Sequence, residues 1–259
     1  MEIAALSLRN NLLSTPVIMK LKQLASVTND DQEALLEALQ TPCRILARSE
    51  INYVKENFSR VRFIQQGYAY RFVMLRDGRR QITDFLLPGD ICNPHGSSAV
   101  DIGHGFCALT SVIYSGVTFQ ALGSLVEDHP RIGEALWQAA LLNEAMLYNR
   151  VVSLGQRSAK ERLAHFLCEV FVRSRMVGLT SGLQCSLPMN QNDLADLLGL
   201  SLVHTNRSMM ALRADGMIRF QAQVLTIFDV ERLQEMAHFD PGYLQVNSKN
   251  TVYRSRIAV

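Results

Sequence analysis

The chain of 259 residues is 48% hydrophobic, enough to bury a large core in one large domain or two medium ones. This composition excludes a disordered protein. The formal net charge of +2 is too small to favour any class of partner, so an anionic partner would have to meet a local basic patch.

No targeting or membrane segment is predicted. The opening run MEIAALSLRNNLLSTPVIMK lacks the basic stretch and apolar core of a signal peptide, and no later window approaches the roughly 18 apolar residues of a membrane span. The cysteines are odd in number and scattered, which is typical of a reducing compartment: Cys43, Cys92, Cys107, Cys168 and Cys185. We therefore expect a soluble, cytoplasmic protein without a membrane partner.

The first predicted element is a short helix over the run NDDQEALLEAL. Asn29 or Asp30 can serve as its N-cap, and acidic residues in the first turn favour the helix start. Leu35, Leu36 and Leu39 then recur at helical spacing. The residues before this helix are poorly patterned.

Short β-branched and aromatic runs follow from Cys43 to about Thr118, among them YAYRFVML, RRQITDFLL and ALTSVIYSGVTFQAL. Turn signals such as Asp77-Gly78 and Pro88-Gly89-Asp90 separate them. Regularly spaced short strands of this kind predict an antiparallel jelly-roll β-barrel. We assign residues 30–129 to this N-terminal barrel and the chain to the α+β class.

A long helix is predicted next, because helical periodicity begins near Pro130 and continues over residues 130–155. Residues at alternating spacings of three and four predict a seam: Ile132, Ala135, Ala139, Leu142, Met146, Asn149 and Ser153. Further apolar residues lie beside it, so one face can meet the barrel and another a partner helix. We predict a homodimer through this helix; the alternative is a single helix buried inside one domain.

A C-terminal domain begins with a capping box, in which Ser158 and Glu161 each bind a free backbone N–H group at a helix start. Near the end of the domain, after Gly216, two strand-like runs, MIRF and VLTIFD, flank QAQ and predict a wing. We assign residues 156–230 to this domain and residues 231–259 to a C-terminal helix and tail.

The stretch before the wing has helix-turn-helix spacing. Asn190 can cap a first helix, Gly199 supplies the turn, and Ser201 can cap a second helix that ends near Ala214. Apolar contacts between the helices leave one set of residues uncommitted: Ser201, Val203, His204, Asn206, Arg207 and Arg213. From Gln156 to Phe220 there are eight Lys and Arg against five acids, which is compatible with DNA as a partner.

Taken in order, four segments resemble the Crp/Fnr family of bacterial transcription regulators: DGRRQITDFLLPGD, the long helix, GQRSAKERLAHFL and NQNDLADLLGLSLVHTNRSMMALRADGMI. The resemblance covers about residues 30–240. It implies a cyclic-nucleotide-binding-like barrel and a winged helix-turn-helix, in a homodimer that places each second helix in a DNA major groove. A ligand or redox event in the barrel would adjust how the helices are posed, and RNA polymerase would be a further partner of an activator.

The resemblance aligns Arg207 with the base-contacting arginine of the family. A guanidinium fork matches O6 and N7 of guanine and contributes about 1–3 kcal/mol of discrimination; the alternative is a phosphate contact or a solvated charge. Where many members carry Glu near the start of the second helix, this chain has Val203, which offers only apolar contact, such as to a thymine methyl group. We therefore expect a different half-site.

Further candidates for DNA contact lie at the helix starts and beside Arg207. Asn190, Gln191 and Ser201 would position phosphates without reading sequence. Asn206 would bridge to adenine or to phosphate, and His204 would meet phosphate. For both of these residues, simple exposure to solvent is an equal alternative.

Cyclic nucleotides are not expected to bind. Family members that bind them use a Gly-Glu pair and an Arg in the segment after PGD, whereas ICNPHGSSAVDIGHGFCALTSVIY has neither. No Lys or Arg occurs from Gln81 to Pro130, and a buried phosphate without a cationic partner is costly. No cysteine precedes Cys43, so the N-terminal cluster of iron–sulfur members is absent as well.

The rival to a regulator is a metal- or redox-responsive sensor or enzyme. Cys92 and His95, with His104 and Cys107, have a spacing that can place four ligands around one metal ion. We favour the alternative that these are buried or hydrogen-bonded side chains. An enzyme would also need a base and an orienting partner for the cysteines, which the sequence does not supply. We therefore predict a non-enzymatic, sequence-specific regulator.

Overall fold

A computed structural model describes residues 16–39, 42–52, 60–92 and 104–244, and the predicted α+β class is confirmed. The helices are α1 (Pro16–Leu24), α2 (Asn29–Ala38), α3 (Phe119–Asp128), α4 (Pro130–Gln156), α5 (Ala159–Met176), α6 (Gln191–Leu198), α7 (Leu202–Ala214) and α8 (Val230–Ala237), followed by a 3-10 helix (Pro241–Leu244). The strands are β1 (Cys43–Ile45), β2 (Glu50–Asn52), β3 (Arg60–Gln66), β4 (Ala69–Met74), β5 (Arg80–Leu86), β6 (His104–Ala108), β7 (Val112–Thr118), β8 (Thr180–Ser181), β9 (Gln184–Ser186), β10 (Ile218–Gln221) and β11 (Val224–Ile227). None of these helices is long and apolar enough to cross a membrane.

Strands β1–β7 form the sheet domain, which consists of two antiparallel sheets. One sheet has the strand order β1-β7-β3, and the other has the order β2-β6-β4-β5. Phe63 of β3 and Phe85 of β5 are fully buried in one core, so side chains from both sheets share it. Within the described residues the sheets stay open, so the predicted barrel is a two-sheet jelly-roll arrangement without closure.

The start of α2 differs from the prediction. The N-cap is Thr28, whose hydroxyl accepts a hydrogen bond from the Asp31 N–H group at 3.2 Å. The Asp31 carboxylate accepts the Thr28 N–H group at 2.8 Å in return. This capping box satisfies two free N–H groups, whereas a cap at Asn29 or Asp30 would lack that reciprocal bond.

Helix α1 occupies part of the segment that the sequence left without a predicted element. Its apolar side chains are buried against β3, α4 and α5. Lys20 forms a buried ion pair with Asp90, which lies in the turn after β5. Gln23 donates a hydrogen bond to the backbone oxygen of Met176 at the end of α5. Helix α1 therefore contacts both halves of the molecule.

The Pro-Gly-Asp turn after β5 is shaped by this contact with α1. Gly89 has a φ of +96°, and a Cβ atom placed on it would lie 2.7 Å from the backbone oxygen of Pro16. Only glycine fits both the backbone conformation and the close approach. The Asp90 carboxylate also accepts the N–H group of Leu87 at 2.8 Å, which closes the turn.

The long helix is confirmed, and α4 runs for 27 residues. The seam predicted on it faces the chain's own core, because six of its members are buried within the chain: Ile132, Ala135, Ala139, Leu142, Met146 and Ser153. Asn149 is half-buried, and its amide donates to the Ala145 backbone oxygen at 3.2 Å. Residues that are buried by their own chain have no surface left for a second chain. The prediction that this face of α4 meets a partner helix is therefore corrected: it packs inside the chain.

The C-terminal domain packs around α5, in which every residue from 163 to 174 is buried. Its predicted capping box is confirmed, since Ser158 and Glu161 bond to each other's backbone N–H groups at 3.4 and 2.8 Å. The predicted wing is part of a four-stranded sheet with the order β10-β11-β9-β8. The hairpin of β8 and β9 was not predicted.

A buried ionic cluster joins α5 to the sheet domain and to α4. Arg173 of α5 donates to the backbone oxygen of Phe85 at 2.9 Å and to the Asp90 carboxylate at 2.7 Å. Glu169, one turn earlier, lies 3.4 Å from both Arg173 and Arg150 of α4. Buried charges are tolerated when they are paired in this way, and truncating one partner leaves another unpaired.

Candidate DNA-binding interface

The helix-turn-helix forms at the residues that the sequence predicts. The Asn190 side chain accepts the Asp193 N–H group at 2.8 Å, and Asp193 accepts that of Asn190 at 3.1 Å. Helix α6 ends at Gly199, whose φ of +61° is left-handed. Ser201 caps α7 by accepting the His204 N–H group at 3.3 Å. Local hydrogen bonds therefore fix both helix starts.

The turn between α6 and α7 rests on the end of α4. A Cβ atom on Gly199 would lie 2.8 Å from the end of the flexible Leu154 side chain, which can move aside, so the turn needs glycine for its left-handed backbone conformation. Arg162 of α5 donates to the backbone oxygens of Leu198 at 2.7 Å and Leu154 at 3.0 Å. It satisfies a free carbonyl at each helix end, a role that no pattern in the sequence indicates.

Helix α7 has one buried side and one exposed side. All seven predicted DNA contacts lie on exposed positions: Asn190, Gln191, Ser201, Val203, His204, Asn206 and Arg207. Met209 packs in the core with 2% exposure, whereas the adjacent Met210 is 60% exposed. At about 100° per residue, Val203, Arg207 and Met210 project within about 60° of one another.

Two residues of this exposed side were missed as possible contacts. Leu202, the first residue of α7, is 45% exposed, and Met210 lies two turns further on. Large apolar side chains are seldom left in water on a helix that only packs, since polar residues solubilise an outer face better. The signal in the sequence was two large apolar residues, Leu202 and Met210, at helix positions that the packing of α7 on the core does not require.

The polar groups on this side are available to a ligand to different degrees. Within the part of the chain that the structure describes, Arg207 makes no hydrogen bond or ion pair. Its guanidinium donors are therefore free. His204 is engaged locally, because its Nδ1 atom lies 3.0 Å from the Ser201 hydroxyl.

The remaining cations near α7 are partly engaged within the domain. Arg213 donates to the backbone oxygen of Phe220 in the wing, and Lys160 is paired with Asp215. Arg219 lies 5.7 Å from the ring centre of Phe228, a cation–π distance. Of these contacts, the Arg213 bond joins the wing to α7. Within the described ranges, Arg207 is the unengaged member of these four cations.

The predicted Cys/His site falls partly outside the described residues, because His95 lies there. His104 begins β6. Burial raises the pKa of the Cys92 thiol to about 12 and also raises that of Cys107, so both are protonated at neutral pH. The two cysteines pack in different core clusters. Among the described residues, no group of three or more His, Cys, Asp or Glu side chains is placed to hold a metal ion.

These features define a winged helix-turn-helix protein in which a sheet domain is joined by a long helix to an exposed helix pair. Residues 161–236 match the family of Crp-like helix-turn-helix domains. The chain belongs to the Crp/Fnr family of transcription regulators, which confirms the resemblance seen in the sequence.

Among its relatives is the nitrogen fixation regulation protein FixK of Bradyrhizobium diazoefficiens, 30% identical over 180 residues, which covers 67% of this chain and 72% of FixK. The transcriptional activator protein FnrL of Cereibacter sphaeroides is 24% identical over 216 residues, which covers 82% of this chain and 86% of FnrL. The structure of FixK2 from Bradyrhizobium japonicum is similar with a TM-score of 0.66 and 26% identity, covering 76% of this chain and 96% of FixK2. The similarity spans the sheet domain as well as the helix-turn-helix.

Proposed function

We propose that this DNA-binding transcription regulator acts as a homodimer, with α7 of each copy in a major groove. The observation that carries the proposal is the outward side of α7, where Arg207 is exposed and unengaged within the described residues. A helix of this width fits the major groove, where base edges are distinguishable. Two copies would read half-sites about 34 Å apart on a two-fold related operator.

Arg207 is assigned to base readout. Its free guanidinium fork matches the two acceptors of guanine, which is the commonest specific contact in a major groove. The neighbouring Asn206 is exposed and has the amide geometry to bind adenine. Both side chains lie in the first two turns of α7, where recognition helices contact base edges.

Val203 and Leu202 make the start of α7 apolar. Val203 is 65% exposed and, like Leu202, has no polar group to offer a base. Such side chains bind the thymine C5-methyl group by apolar contact. We therefore expect each half-site to contain a thymine next to the guanine that Arg207 reads.

The helix starts are assigned to positioning. Asn190, Gln191 and Ser201 lie where free N–H groups and the positive end of each helix dipole favour a phosphate. His204 adds an exposed ring beside Ser201. Such contacts fix the register of the protein on the duplex and carry no sequence information.

The dimer surface is assigned to the exposed side of α4, opposite the buried one. Its large exposed hydrophobic residues are Trp137, Leu147, Tyr148, Val151, Val152 and Leu154. They form a stripe along the helix, which a second copy of α4 would cover. A two-fold axis along this stripe uses the same surface on both copies.

Regulation of transcription, and not catalysis, is the activity we assign to the chain. The support is that the relatives named above are transcription regulators. We place the protein in the cytoplasm, where its DNA partner lies. If it activates genes, RNA polymerase is a further partner.

The proposal is tested by selecting bound DNA from a random pool and measuring two variants on single-base changes of that site at fixed salt. Arg207→Ala is expected to lose about 1–3 kcal/mol of discrimination at one base pair per half-site. The control Gln191→Ala removes an exposed polar side chain at a helix start and is expected to weaken all sequences alike.

Equal losses on every DNA variant for Arg207→Ala would contradict its role in base readout. Failure of the wild-type protein to enrich any sequence would contradict the proposed function itself. The two results are distinguishable because the second appears before any variant is made.

A further inference from the structure

Strand β5 of the sheet domain places an arginine directly on the helix-turn-helix. The Nε atom of Arg80 donates to the Asp196 carboxylate of α6 at 2.8 Å, and its Nη2 atom lies 2.7 Å from the same oxygen. Nη2 also donates to the Asp193 carboxylate at 3.2 Å. One guanidinium group thus pairs with two carboxylates of the first helix of the motif.

Two neighbours of Arg80 extend this contact. Arg48, from the loop after β1, donates to the other oxygen of Asp193 at 2.9 Å. Gln81 donates to the backbone oxygen of Asp196 at 2.6 Å. Both acids of α6 are therefore paired by groups of the sheet domain.

The side chain of Arg80 is itself held in place before it reaches α6. Its guanidinium carbon lies 4.9 Å from the ring centre of Tyr70 on β4. Its Nη1 atom also donates a hydrogen bond to the Tyr70 hydroxyl group. A planar guanidinium group that stacks on a ring loses less freedom when it binds a carboxylate. Arg80 is thus preorganised to bind the two acids.

The position of these acids matters for DNA. In a helix-turn-helix the first helix crosses the DNA backbone while the second enters the groove. Asp193 and Asp196 are on that first helix, and unpaired carboxylates close to phosphates repel them. A cation supplied by another domain removes this repulsion without occupying the reading side of α7.

We propose that Arg80 is a positioning residue for DNA binding, which acts from the sheet domain by neutralising the Asp193 and Asp196 carboxylates of α6. The sheet domain is then part of the DNA-binding apparatus even without a ligand. This inference rests on the proposed function, since it concerns the affinity of the same interface.

The test measures the affinity of the full-length protein for its selected DNA by fluorescence anisotropy. Arg80→Gln is expected to bind about five- to tenfold more weakly at about 0.1 M salt, with base preference unchanged. The matched control is Arg79→Gln, which removes the same charge from the adjacent residue. Arg79 is paired with Asp77 at the hairpin tip and has 77% side-chain exposure, so its loss is expected to leave affinity unchanged.

A second change separates charge neutralisation from a direct phosphate contact. Adding Asp196→Asn to Arg80→Gln removes the uncompensated carboxylate, and most of the lost affinity is expected to return. Adding Asp77→Asn to Arg80→Gln restores the same net charge away from α6 and is expected to return little. A merely structural role for Arg80 would not produce this difference.

Each alternative result overturns the proposal. Unchanged or tighter binding by Arg80→Gln would do so, as would equal rescue by the two Asp→Asn changes. If Arg80→Gln lowers the melting temperature, the single variant Asp196→Asn provides the test instead. It is expected to bind DNA at least as tightly as the wild type, and weaker binding contradicts the proposal. Absence of DNA binding by the wild type would instead refute the proposed function.

Discussion

Single side chains in this protein serve more than one structural unit. Asp193 completes the capping box of α6 and also binds Arg48 and Arg80 of the sheet domain. Arg162 closes the ends of two helices at once. Such residues make the pose of the helix-turn-helix depend on the rest of the chain, because moving one unit breaks bonds that belong to another.

His165 gives a pH-dependent stability at the residue scale. Its ring is buried in α5, 5.0 Å from the ring centre of Phe239. Burial, with the positive charges of Arg157 and Arg150, lowers its pKa from 6.5 to about 3. The folded protein therefore keeps His165 neutral while the unfolded chain takes up a proton below pH of about 6.5, so stability falls as the pH drops from there towards 3.

The measurement is the free energy of unfolding by urea at pH 7 and pH 5. His165 is expected to contribute a loss of about 2 kcal/mol over this interval. His165→Phe keeps an aromatic ring and removes the titration. The free energy of unfolding of this variant should therefore fall between pH 7 and pH 5 by about 2 kcal/mol less than that of the wild type. Identical pH dependence of the two proteins would show that His165 does not govern the effect.

At the scale of elements, α4 carries two apolar faces with different partners. The face that contains Met146 packs against the chain, and the face that contains Val151 is exposed. Helical periodicity alone does not tell them apart, since both faces repeat at three and four residues. The exposed stripe is broader and includes aromatic side chains, which are enriched in interfaces between chains.

A charge on the exposed stripe is expected to separate the proposed dimer. Val151 is 67% exposed, so Val151→Asp should leave the fold intact, yield monomers in sedimentation, and weaken DNA binding because each monomer contacts one half-site. The control is Leu46→Asp, which places the same charge at a 69% exposed apolar residue beside β1. If Val151→Asp remained a dimer with unchanged DNA affinity, the exposed side of α4 would not be the dimer surface. Met146→Asp is unsuitable, because that residue is in the core.

At the scale of the whole molecule, the sheet domain, α4 and the C-terminal domain meet in one buried ionic cluster. Asp90 pairs with Lys20 of α1 and Arg173 of α5, and both pairs are buried. Arg150 of α4 joins the cluster through Glu169. A change in the sheet domain that moved Asp90 would therefore act on both other units.

Cyclic AMP and cyclic GMP are expected neither to bind nor to change DNA affinity. The segment from Gln81 to Pro130 has no cation for a phosphate, and Arg71 of the sheet domain is already paired with Asp84 on the neighbouring strand. A ligand shifts the pose of a dimer only through different affinities for its two states. Calorimetric titration checks this expectation, and micromolar binding of cyclic AMP would contradict it.

The sequence by itself determined the elements whose signals are local. The caps Asn190, Ser158 and Ser201 lie within three residues of the N–H groups they bind, and Gly199 ends its helix by its own backbone conformation. The exposed face of α7 follows from the same local geometry. For this reason the helix-turn-helix, the long helix and the candidate DNA contacts were readable without a structure.

Tertiary structure alone decided which faces and charges meet. Arg80 and Asp193 are 113 residues apart, so no spacing in the chain connects them. The inward side of α4, the packing of α1 and the buried pairs of Asp90 depend on which units fold against each other. Long-range contacts of this kind are set by the competition among all apolar and charged faces, whereas a cap or a turn is set by its own neighbours.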